Sequence, residues 1–294
     1  MLPCFVKFLF LCPMSLFITS LNSGSNGNCY YIGNETEAVL IDAGISCREI
    51  EKRIKRLGLL MKNIKAVFIS HEHSDHIRGL QALIKKFQLP VYISPATLQG
   101  GRLQLEAYLV KDFEAHQAIS IGDLNVTAFP KYHDASDPYS FFVTCRNICV
   151  GVFTDIGAPC QQLVKYFRQC HAAFLEANYD EEMLEKGSYP IHLKNRIRNG
   201  MGHLSNSQAL DLFIRQRPEF MTHLLLAHLS QNNNSPELVQ QLFNAHAQNV
   251  KITVAPRHKE TEVFHICRPN NDEECLASKF LKYSPPVQLA LSFT

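Results

Sequence analysis

The sequence contains no tryptophan in 294 residues, so any stacking on unpaired bases falls to phenylalanine and tyrosine. It has no excess of one charge: the formal net charge is +2, which excludes a globally basic nucleic-acid or membrane binder and leaves only local basic strips able to meet phosphates. It has no C-x-x-C pair among its ten cysteines (Cys4, Cys12, Cys29, Cys47, Cys145, Cys149, Cys160, Cys170, Cys267, Cys275). That speaks against a zinc knuckle, and the chain is far longer than most disulfide frameworks, so reduced, partly buried thiols in a cytoplasmic protein are expected. It also lacks an uninterrupted apolar run long enough to span a bilayer. The most apolar stretch, "MLPCFVKFLFLCPMSLFITS", is broken by Pro3 and Pro13. It has the look of a short signal peptide but no Ala-x-Ala cleavage site. The preferred alternative is translation from Met14, with residues 1–13 an upstream extension, 14–267 one domain, and 268–294 a polar, loosely held tail. There is no internal repeat or low-complexity linker.

What is present is an ordinary globular composition, 46% hydrophobic and 19% charged, in a chain long enough to bury a sizeable core. Short β-rich runs alternate with amphipathic stretches, which predicts an α/β layered domain. "SLFITSL", "NCYYIG", "AVLIDAG", "IKAVFIS", "LPVYIS", "LNVTAFP", "YSFFVTC", "NICVGVFTD", "AAFLEAN", "THLLLAHLS" and "VKITVAP" read as strands. Ser46 with Glu49 predicts a capping box at the head of a helix that Gly58 stops. "HIRGLQALIKKFQLP", a charged stretch ending at Lys186, "SNSQALDLFIRQRP" and "SPELVQQLFNAHAQ" read as helices.

The chemistry concentrates in "SHEHSDH", where His71, His73, Asp75 and His76 fall within six positions directly after an apolar strand. A lone histidine is usually a hydrogen-bonded core or surface residue, but four metal-capable groups in one short loop point to cations. Imidazole nitrogen with carboxylate oxygen suits zinc, manganese or iron rather than calcium or magnesium. His71 and His73 can face one cation while Asp75 and His76 face another. One loop cannot close two sites, so further ligands are expected where other apolar strands hand over to polar loops. His133, Asp155 and His228 sit in such places, and Asp42 occupies the same kind of position early in the chain. His116, His192, His223 and His246 lack that context and are expected to be structural or exposed.

This ordered set, Asp42, then H-x-H-x-D-H, then His133, Asp155 and His228, resembles the metallo-β-lactamase superfamily of metal-dependent hydrolases over roughly residues 14–256. The resemblance implies an αββα four-layer sandwich with two divalent metal ions (zinc or manganese, iron being the third candidate) at one edge. It implies that His71, His73 and His133 hold one ion, that Asp75, His76 and His228 hold the other, and that Asp155 bridges them. Asp42 would orient the histidine loop from behind. "SLNSGSNGNCYYIG", "LIDAGIS", "HDASDP", "GHLSN" and "AHLSQNNNSPEL" are similar to the YycJ/WalJ-like branch, which is associated with exonuclease action on DNA ends.

Two further features favour a phosphodiester substrate. Glu176 and His203 resemble the glutamate–histidine pair of tRNase Z, a phosphodiesterase relative in which the pair assists proton transfer to the leaving oxygen. Lys194, Arg196 and Arg198 lie shortly before His203 and could neutralise backbone phosphates, although a solvated loop face is as common an explanation for such a strip. "SGSNGN" is a polar turn that could present N–H groups to a phosphate, with a plain hairpin turn the simpler reading. The expected activity is therefore phosphodiester hydrolysis of DNA through a metal-bridged hydroxide, with Asp75, Glu176 and His203 as catalytic groups. The alternative with the same metal site is a thioester or lactone hydrolase. The sequence sets neither the metal nor the oligomeric state, and no membrane partner is expected.

Overall fold

Two seven-stranded sheets face each other, each half antiparallel and half parallel. In the computed structural model, residues 15–267 are described; the expected extension 1–13, the start at Met14 and the tail 268–294 lie outside them. The first sheet contains β1 (Leu16–Asn22), β2 (Cys29–Gly33), β3 (Ala38–Ile41), β4 (Ile64–Phe68), β5 (Val91–Tyr92) and β6 (Val110–Lys111), with β14 (Phe264–Ile266) beside β1. The second contains β7 (Ala118–Ile121), β8 (Leu124–Pro130), β9 (Tyr139–Cys145), β10 (Ile148–Phe153), β11 (Ala172–Glu176), β12 (His223–Ala227) and β13 (Lys251–Val254) in the spatial order β13-β12-β11-β10-β9-β8-β7. Pairing is parallel from β3 to β6 and from β10 to β13.

The layers follow from side-chain alternation. Ile18, Tyr30, Val39 and Phe68 of the first sheet meet Val126, Phe141, Val150, Phe174 and Leu225 of the second in a central apolar layer. Their neighbours in sequence point outward: Tyr31, Leu40 and Val67 pack against Ile50, Ile54, Leu83 and Ile84. These belong to α1 (Cys47–Arg56) and α3 (Leu80–Phe87). Phe153, Leu175 and Leu226 pack against Leu163, Phe213 and Phe243, from α5 (Gln161–Phe167), α8 (Asn206–Gln216) and α9 (Pro236–Asn244). Both faces of the central strands are thus covered, which is why they read as nearly continuous apolar runs. The result is the expected αββα sandwich. Phe174, its ring 4.9 Å from that of Tyr30 across the central layer, is a position where truncation to alanine costs about 3–5 kcal/mol.

Several local expectations change. Ser46 caps α1 by accepting from the Glu49 N–H, but the Glu49 carboxylate turns to Arg53 at 3.3 Å, so only half of the capping box forms. The helix expected from His76 and ending before Pro90 is two, α2 (Ser74–Ile77) and α3. Gly79, between them, gives its N–H to Ala43 O at 2.8 Å and so leaves the helical ladder. The basic strip is not a loop: it forms α7 (Ile191–Arg198), after α6 (Glu181–Lys186). β6, β7, β14, α5 and α4 (Pro95–Gly100) had no counterpart in the sequence pattern, since each is short or lacks a sustained period. Among the described residues no helix is long and apolar enough to cross a membrane. Cys29, Cys47, Cys145 and Cys170 are buried thiols.

Candidate metal centre

The candidate site lies at the edge where β3, β4, β8, β10, β11 and β12 end. Asp42 follows β3, the loop from Ser70 to His76 follows β4, His133 follows β8, Asp155 follows β10, Glu176 ends β11 and His228 follows β12. Three of these residues, Asp42, Asp155 and His228, have φ of 61°, 55° and 56°. A left-handed backbone in a residue other than glycine costs roughly 1–3 kcal/mol. Here it turns the chain sharply at the strand end.

Asp42 organises the histidine loop. Its carboxylate accepts from the Ser70 N–H and Ser70 Oγ, each at 2.8 Å, and from His76 Nδ1 at 2.7 Å. Ser70 Oγ in turn lies 2.9 Å from His71 Nδ1. His133 Nδ1 donates to Gly202 O at 3.0 Å, and His228 Nδ1 to Glu176 Oε1 at 3.1 Å. Each bond occupies Nδ1 and leaves Nε2 to the centre, the arrangement that supports a metal-binding imidazole.

The free atoms converge in two groups. His71 Nε2 and His133 Nε2 lie 3.1 and 3.3 Å from His73 Nδ1. His228 Nε2 lies 3.3 Å from Asp75 Oδ2, and His76 Nε2 lies 3.2 Å from Asp155 Oδ2. Asp155 stands between the groups, with Oδ1 3.4 Å from His228 and 3.9 Å from His133. Tetrahedral ligation with bonds of 2.0–2.1 Å puts ligand atoms about 3.4 Å apart, so both groups have the spacing a cation requires. The chemistry of the atoms agrees. Burial lowers the pKa of His71 well below normal and that of His133 to about 4, so neutral lone pairs face one another. Asp155 Oδ2 is buried and faces His76 Nε2 without a well-aligned hydrogen bond. These residues fit divalent cations.

The second group is electrostatically different. Burial works against charge on His76 and His228, but Asp155, Asp42 and Asp75 raise His76 well above normal. Asp155, Asp75 and Glu176 likewise raise His228 to about 10. Against its own burial, Asp75 is drawn down to about 2 by His76 and His228.

Glu176 does more than the sequence suggests. Its Oε1 accepts from His203 Nδ1 at 2.8 Å as well as from His228, and its Oε2 accepts from the N–H groups of Ile156 and Leu204 at 2.6 and 3.2 Å. Burial opposes its charge, yet His203 and His228 hold it near 2. With both oxygens engaged, it supports a candidate ligand and orients His203 together. His203 lines a cavity of about 190 Å³ with Ser25, Asp134, Tyr189, Arg196 and His228.

The basic strip is only partly at this edge. Lys194 is buried and its Nζ donates to Glu185 O, so it does not offer its charge to a phosphate; helical periodicity turns it inward. Arg198 pairs with Glu185 at 2.8 Å. Arg196 reaches the cavity but pairs with Asp134. The "SGSNGN" turn spends its Gly24, Gly27 and Asn28 N–H groups on Asn28 Oδ1, Gly24 O and Asp75 O. That agrees with the simpler reading as a plain turn, and these N–H groups are not free for a phosphate. Residues that sequence reasoning passed over are Ser70, Asn28, which donates to Asp75 Oδ2 at 3.1 Å, and Lys131, buried with Nζ on Thr154 O at 2.8 Å. Only their adjacency to strand ends could have signalled them. His116 and His223 lie away from the centre, on Tyr166 and Thr222.

Comparison with known proteins agrees with this geometry. Residues 23–144 match the model of the metallo-beta-lactamase superfamily, a span holding Asp42, the histidine loop and His133. The chain is 32% identical to exodeoxyribonuclease YycJ of Bacillus anthracis over 232 residues, 77% of this chain and 87% of that one. It is 32% identical to exodeoxyribonuclease WalJ of Streptococcus pneumoniae over 225 residues, 74% of this chain and 83% of the relative. Among solved structures, the metallo-beta-lactamase fold protein YhfI from Bacillus subtilis superposes with a TM-score of 0.67, covering 85% of this chain and 99% of that one at 17% identity.

Proposed function

The chain belongs to the metallo-β-lactamase superfamily and is a metal-dependent hydrolase, and from that premise we propose that it is an exonuclease that hydrolyses phosphodiester bonds at DNA ends. His71, His73 and His133 hold one cation in this reading, Asp75, His76 and His228 a second, and Asp155 serves both. Bound there, divalent zinc or manganese supplies Lewis-acid activation of water and stabilises charge developing on a phosphoryl oxygen. Asp75, anchored by Asn28 and 3.3 Å from His228, which lines the cavity, orients the attacking water. His203, its Nδ1 held by Glu176, keeps Nε2 for the departing oxygen and delivers a proton to it as the P–O bond breaks.

The observation that carries the phosphodiester reading is the Glu176–His203 pair beside the metal ligands. A sugar hydroxyl departs poorly as an alkoxide and needs a proton, whereas a thiolate does not. The names of the two relatives at 32% identity point to the same substrate class, and a DNA substrate fits a cytoplasmic location. The test is metal-resolved activity: strip the protein, restore zinc or manganese, and offer labelled duplex DNA beside a small thioester. DNA hydrolysis supports the proposal, and turnover of the thioester alone removes it.

A further inference from the structure

The cations expected to meet DNA are largely committed elsewhere, but two guanidinium groups that form no ion pair among the described residues lie beside the turn between β1 and β2. This turn is tied to the centre at both ends: Ser23 Oγ accepts from the His228 N–H at 2.8 Å, and Asn28 donates to Asp75. Ser25, at its tip, lines the cavity.

Two guanidinium groups flank the turn. Arg257, between β13 and β14, donates from Nη1 to Leu229 O at 2.9 Å and from Nη2 to Ser25 Oγ at 3.1 Å. Arg78, after α2, donates to Gly44 O at 3.2 Å and to Asn26 O. Both bond neutral oxygens, and among the described residues neither forms an ion pair, unlike Arg196 and Arg198. Arg257 Nε is buried without a hydrogen-bond partner, and a guanidinium has five donors in all. The turn is shaped around this side chain: Gly24 has φ +114°, and a Cβ there would lie 2.6 Å from Arg257 Nη1. The bond to Ser25, which lines the cavity, sets the guanidinium beside it; burial lowers the Arg257 pKa while Tyr189 and Asp75 act in the opposite sense.

We propose that the Gly24–Gly27 turn, flanked by Arg257 and Arg78, is the strip that carries the nucleic-acid backbone to the cavity, with Arg257 meeting a phosphate beside the one cleaved. The inference rests on the phosphodiesterase reading above and replaces the α7 strip as the main phosphate contact. Arginine suits the task because its fork pairs with phosphate oxygens and remains charged.

The experiment measures binding of a fluorescent single-stranded oligodeoxynucleotide with phosphorothioate linkages to the full-length, metal-loaded protein across a salt series. Each single-strand phosphate contact contributes about 0.7 to the slope of log Kd against log salt. Arg257→Met and Arg78→Met should each flatten the slope by that amount. Lys186→Met, which removes the same charge from an exposed side chain paired with Glu182, should leave it unchanged. Arg257→Lys keeps the charge without the fork and should retain most of the slope. If it flattens the slope as far as methionine does, Arg257 is only a clamp on the turn and the proposal fails. The proposal is also overturned if Arg257→Met and Arg78→Met shift the slope no more than Lys186→Met. Should Arg257→Met fail to fold, Arg78→Met and Arg257→Lys still decide. A wild-type protein that cleaves no phosphodiester removes the functional reading, while the binding slopes judge the strip separately.

Discussion

The two sheets contribute to one centre in opposite ways. The first supplies His71, His73, Asp75 and His76 from one contiguous loop, held by Asp42 from the neighbouring strand end. The second supplies His133, Asp155, Glu176 and His228 singly, each from a different strand, with His203 from a loop before α8. A contiguous loop keeps its groups close whatever the rest of the chain does. Groups dispersed along the second sheet meet only when register and layer packing are correct. The first set is therefore a local property of sequence and the second a property of the fold.

The largest expected effect comes from breaking the contiguous set. Asp75→Ala should abolish hydrolysis, because Asp75 is a candidate ligand whose Oδ2 lies 3.3 Å from His228 and is held by Asn28. Turnover measured with zinc or manganese restored decides this, and near-wild-type rates would sink the two-metal assignment. Next is a member of the dispersed set that holds no cation in this reading. His203→Ala should lower the rate on DNA by about 10²–10⁴, the range for a lost general acid, with metal content unchanged. On a diester with a p-nitrophenolate leaving group the loss should be much smaller, since that group departs without a proton. Equal losses on both substrates would deny His203 the role of acid.

The two candidate cation groups also differ in their protons, and this separates them without any turnover. In the metal-free protein His71 and His133 are neutral at pH 7, their pKa values depressed by burial, while carboxylates keep His76 and His228 protonated. His71 and His133 have no proton to give up to a cation entering the first group, whereas His76 and His228 do, so one entering the second should release one or more. Calorimetry in buffers of different ionisation enthalpy counts them. Stability follows with opposite signs. His133, depressed to about 4 from 6.5, gives stability that is present above pH 6.5 and lost as pH falls towards 4. His228, raised to about 10, gives stability that is present below pH 6.5 and lost as pH rises towards 10. Metal-free protein should therefore weaken on both sides of pH 6.5, and bound cations should remove most of the alkaline loss by replacing the protons. Thermal melts with and without metal across that range test the signs, and an alkaline limb indifferent to metal would refute the second group's assignment.

The contrast also explains what the sequence could reveal. The strands that matter were legible because their apolar runs are long and end in polar loops, and the histidine loop because its groups are adjacent. His133, Asp155 and His228 could be singled out because each follows such a run. The second duty of Glu176, towards His228, was not legible, since that partner lies 52 residues away. Nor was Arg257, whose partners Ser25 and Leu229 are 232 and 28 residues distant. Glu49 shows the same limit on a smaller scale: the local motif called for a reciprocal cap, and an arginine one turn on took its carboxylate.

The smallest expected effect tests that limit at α7. Sequence alone ranks Lys194, Arg196 and Arg198 as equals, but helix geometry turns Lys194 inward to Glu185 O and leaves the two arginines exposed. Lys194→Met keeps the length and apolar stem of the side chain and removes a buried charge with its single carbonyl contact. Such an exchange should change stability by no more than about 1–2 kcal/mol, since the lost hydrogen bond is partly offset by relief of desolvation. It should leave the salt dependence of oligonucleotide binding unchanged. Arg196→Met, at the cavity wall, frees Asp134 to face the substrate and should weaken binding measurably. If Lys194→Met instead flattened the salt slope by about 0.7, the side chain would be reaching a phosphate, and the inward face of α7 would have to open when DNA binds.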